Sequence, residues 1–206
     1  MESSSNGIST MAEKPVIVVA VDESSHSFYA LEWTLDRFFV PFAPVQHYSL
    51  VIVHARPSAS TILGIAGNSV ADVTRVVDAE LSRIADWVVE KGKELCSRES
   101  VISFHFHDSS YMHESCFCCR DRSLQLRINR PKKEIRSVNN VMVDVMEGDA
   151  RSVICEAADK HHATILVVGS HGYGPMKRAV LGSVSDFCAH HAHCSVLIVK
   201  KPKPKH

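Results

Sequence analysis

Four runs of the chain are predominantly apolar and rich in β-branched residues. They are Pro15–Val21, Tyr48–His54, Thr164–Val168 and Ser195–Val199. A strand with one wet face alternates polar and apolar side chains, and these runs do not alternate. They suit strands covered on both faces, the condition inside a parallel sheet. A fifth segment, Val141–Val145, also reads as a strand.

Helical periodicity fills the gaps between the runs. Phe28, Leu31, Leu35 and Phe38 recur at i, i+3, i+7 and i+10, until Pro41 and Pro44 stop them. Val70, Val73, Val77, Leu81, Ile84, Val88 and Leu95 form one long stripe, with a capping-box-like start at Ser69 and Asp72. Gly148 and Asp149 precede a third helix carrying Val153, Ile154, Ala157, Ala158 and His161 on one face. Gly182 and Ser183 open a fourth, over Val184, Phe187, Cys188 and His191. Residues 56–68 read as loop. The order β-α-β-α-β-α-β-α-β predicts an α/β fold, a parallel sheet of five strands sandwiched between helical layers with right-handed crossovers.

Composition narrows the function classes. Lys and Arg number 23, Asp and Glu also 23, so there is no net field to attract nucleic acid or an anionic membrane. The basic patch RINRPKKEIR reads as a solvated loop. The longest apolar run, Val16–Val21, is far shorter than the ~20 residues of a membrane span. Residues 1–13 are polar and Ser-rich, expected to be a disordered tail without the apolar core of a secretory signal. Residues 203–206 read as a basic tail. The seven Cys are an odd number without even spacing, as expected of reduced thiols in a cytoplasmic protein, with a nuclear location as the lesser alternative.

In a doubly wound sheet, ligands bind outside the carboxyl ends of the strands, where strand order reverses. Asp22 follows the first strand, and His54 and Arg56 follow the second. Gly169-Ser170-His171-Gly172-Tyr173-Gly174 follows the fourth, Lys177 and Arg178 lie in the same loop, and Gly182-Ser183 opens the last helix. The spacing is Gly169-x2-Gly172-x9-Gly182-Ser183. Glycines let backbone approach a ligand, and amide groups beside a helix N-terminus make a cavity suited to an anion. Neither GxxxxGK[ST] nor, after the first strand, GxGxxG occurs, which argues against a Walker loop and a dinucleotide fold.

VVAVDES, VIVHA and GSHGYGPMKRAVLGSVSDFCAHHAHCSVLIVK resemble the universal stress protein family, particularly its single-domain plant members. The glycine spacing matches that family's G-x2-G-x9-G-[ST] signature at Gly169, Gly172, Gly182 and Ser183. The resemblance implies an adenine-nucleotide α-hydrolase-like sheet with strand order 3-2-1-4-5, over a domain spanning 14–202. It implies ATP or AMP, with or without Mg2+, bound between strands one and four. Ala20, Val21 and Asp22 would face the nucleotide and Val53 would touch the adenine. The loop (Gly169, Ser170, His171, Gly172, Gly174, Lys177, Arg178) and Gly182, Ser183, Val184 and Ser185 would hold phosphates and ribose. It also implies a homodimer paired through the last strand, Ser195–Val199.

The expected function is therefore that of a nucleotide-binding stress sensor or switch with at most slow hydrolysis. Only one acid, Asp22, is placed at the site, and no Ser–His–Asp constellation accompanies it. His54 and His171 are candidates for proton transfer but fit pocket-lining loop histidines better. His190, His191 and His193 with Cys188 and Cys194 match no zinc spacing. The alternative is a nucleotide-independent dimeric or chaperone-like protein on the same fold.

One segment breaks the pattern. From about residue 98 to 138 there is neither stripe nor alternation, and three His and three Cys collect there. CFCC is no recognised ligand spacing, and a partner-binding loop is a second possibility. The segment fits translated intron best: Glu99-Ser100-Val101 and Arg136-Ser137-Val138 border it as a near-repeat. Every Val codon begins with GT, and Arg and Ser can both be written with AG. Either way it is expected to be an irregular insertion at a surface connection.

Overall fold

A computed structural model describes residues 14–43, 45–64, 71–97, 99–100, 134–135, 138, 141–171 and 181–202. The central strands are β1 (Val16–Ala20), β2 (Ser49–Arg56), β5 (Met142–Glu147), β6 (Ala163–Gly169) and β7 (Ser195–Val199). They form one sheet in the order β5-β2-β1-β6-β7 with every pairing parallel. Counted along the chain, this is the expected order 3-2-1-4-5.

Uniformly apolar strands acquire two distinct faces. Ile17, Val19, Leu50 and Ile52 point to one side. There they pack on α1 (Ser25–Thr34) and α3 (Ala71–Ser97), through Leu31 and Val88 among others. Val18, Ala20, Val51 and Val53 point to the other. They meet Ile154, Ala157 and Cys188 of α4 (Ala150–Lys160) and α5 (Ser183–His191). The two-residue period of the strand thus feeds two cores, which is why the central residues of β1, β2 and β6 are apolar on both faces. Each fully buried aliphatic side chain contributes about 1.5–3 kcal/mol.

Local signals explain the element ends. Ser24 caps α1 by accepting from the Ser27 amide. The same rod continues through a π-helical turn, Leu35–Phe39, and a final 3-10 turn ending at Phe42. Asp149 caps α4. A short helix, α2 (Ala59–Leu63), stands where the sequence reads as loop. Ser58 accepts from the Thr61 amide at its start, and Gly64 closes it at φ +61°, where a side chain would be strained.

The long stripe proves uneven. Val88 and Leu95 are core residues, but Val73 is 48% exposed and only the later two thirds of α3 lies on the sheet. The cap expected at Ser69 lies outside the described residues. So do the tails and residues 101–133, where most of the irregular segment falls. Its flanks are described. β3 (Glu99–Ser100) and β4 (Glu134–Ile135) pair antiparallel, and the Val138 amide donates to the Cys96 carbonyl at 3.3 Å. The chain therefore leaves and rejoins the domain at one place.

Candidate functional site

The parallel strands all end at the same edge of the sheet, and order reverses between β1 and β6. A cavity of about 270 Å³ opens there. The end of β1 supplies Ala20, Val21 and Asp22, and the first turn of α1 supplies Ser27. β2 contributes Ala55, and the start of α4 contributes Ala150 and Ile154. Val168, Gly169 and His171 come from β6 and the loop after it. Gly182, Ser183, Val184 and Ser185 come from the start of α5.

Asp22 is held in place by its neighbours. The Ser24 amide donates to its Oδ1 at 3.0 Å and the Ser24 hydroxyl at 2.5 Å. The Asp22 amide donates to the Ser27 hydroxyl at 3.1 Å. The turn from β1 into α1 is thereby closed by side chains, as Asp and Ser do at helix starts. Asp22 Oδ2 has no partner among the described residues, so this oxygen can accept from a ligand hydroxyl.

The opposite wall is built from backbone. The Gly182 amide donates to the Ser170 carbonyl at 2.8 Å, and the Ser170 amide to the Val199 carbonyl at 2.9 Å. These two bonds fix the start of α5 against the end of β6. Gly182 is the N-cap of α5 and offers no side chain to satisfy the first-turn amides. The first intrahelical bond is Asp186 amide to Gly182 carbonyl, at 2.9 Å, which leaves the amides of Ser183, Val184 and Ser185 as the orphan donors of the first turn. With the helix dipole, equivalent to about half a positive charge, they favour an anion. The remaining walls (Ala20, Ala55, Ala150, Ile154, Val168) are apolar. One end of the cavity thus suits a flat apolar group and the other a negative charge.

Gly169 and Gly182 also make room for backbone. A Cβ on Gly169 would lie 2.9 Å from the carbonyl carbon of His26, so a side chain there would push β6 and α1 apart. A Cβ on Gly182 would lie 3.3 Å from the Cα of His171. Both positions are bare because backbone passes over backbone.

Among the residues singled out from sequence, Ala20, Val21, Asp22, Gly169, His171, Gly182, Ser183, Val184 and Ser185 come together in the lining. Val53 does not line the cavity: it is fully buried, its carbonyl accepts from the Val21 amide, and Ala55, next on the same face, lines it instead. Ser170 is buried, its carbonyl taken by Gly182. Gly172, Gly174, Lys177 and Arg178 lie outside the described residues. His54 is not a pocket histidine: it is buried and its Nδ1–H donates to the Val21 carbonyl at 2.8 Å, which fixes its tautomer. Arg56 bridges Asp78 and Glu147 and ties α3 to β5.

Sequence reasoning missed Ser27, Ala55, Ala150, Ile154 and Val168. Ala55 and Val168 could have been found from strand period alone, being in phase with Val53 and Ala20. Ala150 and Ile154 depend on where α4 crosses the sheet, which no local pattern encodes.

The C-terminal histidines of α5 are occupied locally. His190 Nδ1 and His191 Nδ1 pair with the carbonyls of Asp186 and Phe187, and His193 pairs with Asp159. His191 was expected on the buried stripe with Cys188; it is exposed and stacks on Phe187 at 3.9 Å between ring centroids. Among the described residues no group of three His, Cys, Asp or Glu is placed to hold a metal ion.

A doubly wound sheet with this order and a cavity at its reversal defines the α/β nucleotide-binding class of folds. Within that class the chain belongs to the universal stress protein family, whose family model matches residues 15–200. Universal stress protein PHOS34 of Arabidopsis thaliana is 26% identical over 196 residues, covering 94% of this chain and 64% of its own length. The chain thus spans just under two thirds of that relative. Universal stress protein MJ0531 of Methanocaldococcus jannaschii is 40% identical over 63 residues, 31% of this chain and 37% of that protein. Among solved structures, hypothetical protein MJ0577 superposes with a TM-score of 0.56 at 17% identity, covering 92% of this chain and 97% of its own. Universal stress protein UspA from Lactobacillus plantarum gives 0.50 at 18% identity, covering 91% and 99%. At these identities the structural likeness is one of fold.

Proposed function

We propose that this universal stress protein binds an adenine nucleotide, ATP or AMP, in the cavity between β1 and β6 and acts as a stress-response sensor or switch. The observation that carries the proposal is the pairing, in one cavity of about 270 Å³, of apolar walls with three uncapped amides at the start of α5. A purine fits the first and a phosphate the second. Asp22 would accept from a ribose hydroxyl. Lys177 and Arg178 would add positive charge at the phosphate end, and Mg2+ would accompany ATP rather than occupy a site of the chain's own. Asp22 already accepts two hydrogen bonds from Ser24, an arrangement suited to orienting a ligand; hydrolysis, if any, would be slow.

The same proposal places the protein in the cytoplasm as a homodimer paired through β7, which ends the sheet on one side. Edge strands with open backbone groups favour such pairing. No described helix is long and apolar enough to cross a membrane.

The test is calorimetry with ATP, AMP and adenosine on the full chain and on Ala55→Phe, which fills the cavity from its apolar wall. Binding in the native chain, and its loss in a variant of unchanged thermal stability, is the expected result. Equal affinity in both would reject the site. Nucleotide-free dimers that bind none of the three would favour the rival class, an interaction or chaperone-like protein.

A further inference from the structure

Two imidazoles meet beside the cavity, one of them in its lining. His26 sits in the first turn of α1 and His171 in the loop after β6, with ring centroids 5.4 Å apart and planes inclined at 50°. The pair is held by backbone. The first turn of α1 rests on Gly169, and the Cα of His171 rests on Gly182, the residue that opens α5. The histidines therefore adjoin the uncapped amides of Ser183, Val184 and Ser185. His171 lines the cavity itself, and its Nδ1 pairs with the Ser170 hydroxyl at 3.1 Å. His26 carries an anomaly: its Nδ1 is shut off from solvent and has no hydrogen-bond partner among the described residues. A buried polar nitrogen without a partner is costly to charge, and the ring meets the cavity through its contact with His171.

The charges around His26 come from three directions. Lys201, just beyond β7, and His171 both oppose its protonation; Asp22, from the end of β1, favours it. Burial opposes protonation most, so His26 stands below its ordinary pKa of 6.5. The histidine pair is thus poised, with two imidazoles and a lysine near one another and, among the described residues, Asp22 as the acid acting on His26. An anion placed beside them reverses the balance, because it makes the charged imidazole the favoured form.

We propose that His26 and His171 together receive the phosphoryl end of the bound nucleotide, and that binding takes up a proton at this pair. The inference rests on the nucleotide reading of the cavity and adds its regulation: affinity rises as pH falls, so the same ligand concentration occupies more of the protein in an acidified compartment. The proton comes from solvent and no bond in the nucleotide changes.

ATP binding to the full chain should be measured at pH 8.5 and 7.0, a window in which the phosphates stay largely ionised. Tenfold in affinity corresponds to one unit of linked pKa change, and the window captures part of it, so roughly two- to threefold tighter binding at pH 7.0 is expected. Adenosine should show no such change. His26→Gln and His171→Gln should each flatten the pH dependence more than they weaken binding at pH 8.5. Calorimetry of the native chain in two buffers of different ionisation enthalpy should show net proton uptake with ATP and none with adenosine. This measurement does not depend on the variants folding. ATP binding that is flat across the window without proton uptake, or that keeps its slope in His26→Gln, would overturn the histidine proposal and leave the cavity assignment standing. Failure of ATP, AMP and adenosine all to bind would overturn both.

Discussion

Two cysteines show how burial sets reactivity residue by residue. Cys96, at the end of α3, and Cys188, on α5 against the sheet, are free thiols whose pKa burial pushes up to about 12. The thiolate is the reactive form. Iodoacetamide at pH 8 should therefore leave both unmodified in the native protein and modify both after denaturation, as peptide mass mapping would reveal. Rapid native labelling of either would mean that its packing opens readily. Cys155, whose sulfur lies 4.0 Å from that of Cys188, is partly exposed and should label first of the pair. Gly169 offers a second test at this scale. Gly169→Ala forces a methyl against the His26 backbone and should cost roughly 1–3 kcal/mol, read as a lower midpoint in denaturant with the slope unchanged.

At the level of elements, β5 is the most polar strand, and Asp144, one of its two acids, is tied to the helix that follows. Asp144 accepts from Lys160 at 2.8 Å and pairs with His161 at 2.8 Å. Lys160 chiefly, then His161, hold its carboxyl below the ordinary value of 3.8. A depressed carboxyl stabilises the fold above its unfolded pKa, and the contribution disappears as pH falls through the folded value. Acid unfolding of Asp144→Asn should accordingly be less steep below about pH 4 than that of the native chain. The irregular segment belongs to this scale too. β3, β4 and the Val138–Cys96 bond bring its flanks together, so joining Ser100 to Glu134 by a short Gly-Ser turn should leave the thermal midpoint within a few degrees. A collapse in stability would show that residues 101–133 complete the core, and transcript sequencing across the segment would decide whether it is translated intron.

For the molecule as a whole, the sheet ends in β5 on one side and β7 on the other. If β7 is the dimer edge, Ser195→Lys should shift light scattering from twice the 22.8 kDa chain mass toward the monomer. Mass unchanged from the native dimer would move the interface elsewhere. The overall architecture was legible because Val16–Val21, Tyr48–His54 and Thr164–Val168 admit few other fates: their central residues offer no alternating polar side chains for a wet face. Half of the cavity was legible for a related reason, since loops after strands are fixed by the strands. The α4 wall was not, because Ala150 and Ile154 reach the cavity only through the angle at which that helix crosses the sheet. Nor was the solvent exposure of Val73, since periodicity marks a face without saying what covers it. The parallel arrangement also has a practical outcome. The cavity lies where strands finish, whereas the Glu99–Ile135 junction lies where β5 is about to begin, so at least one strand length, about 17 Å, separates them. A dye or a fused reporter grafted at that junction would ride on the far pole of the molecule and leave the ligand's entrance clear.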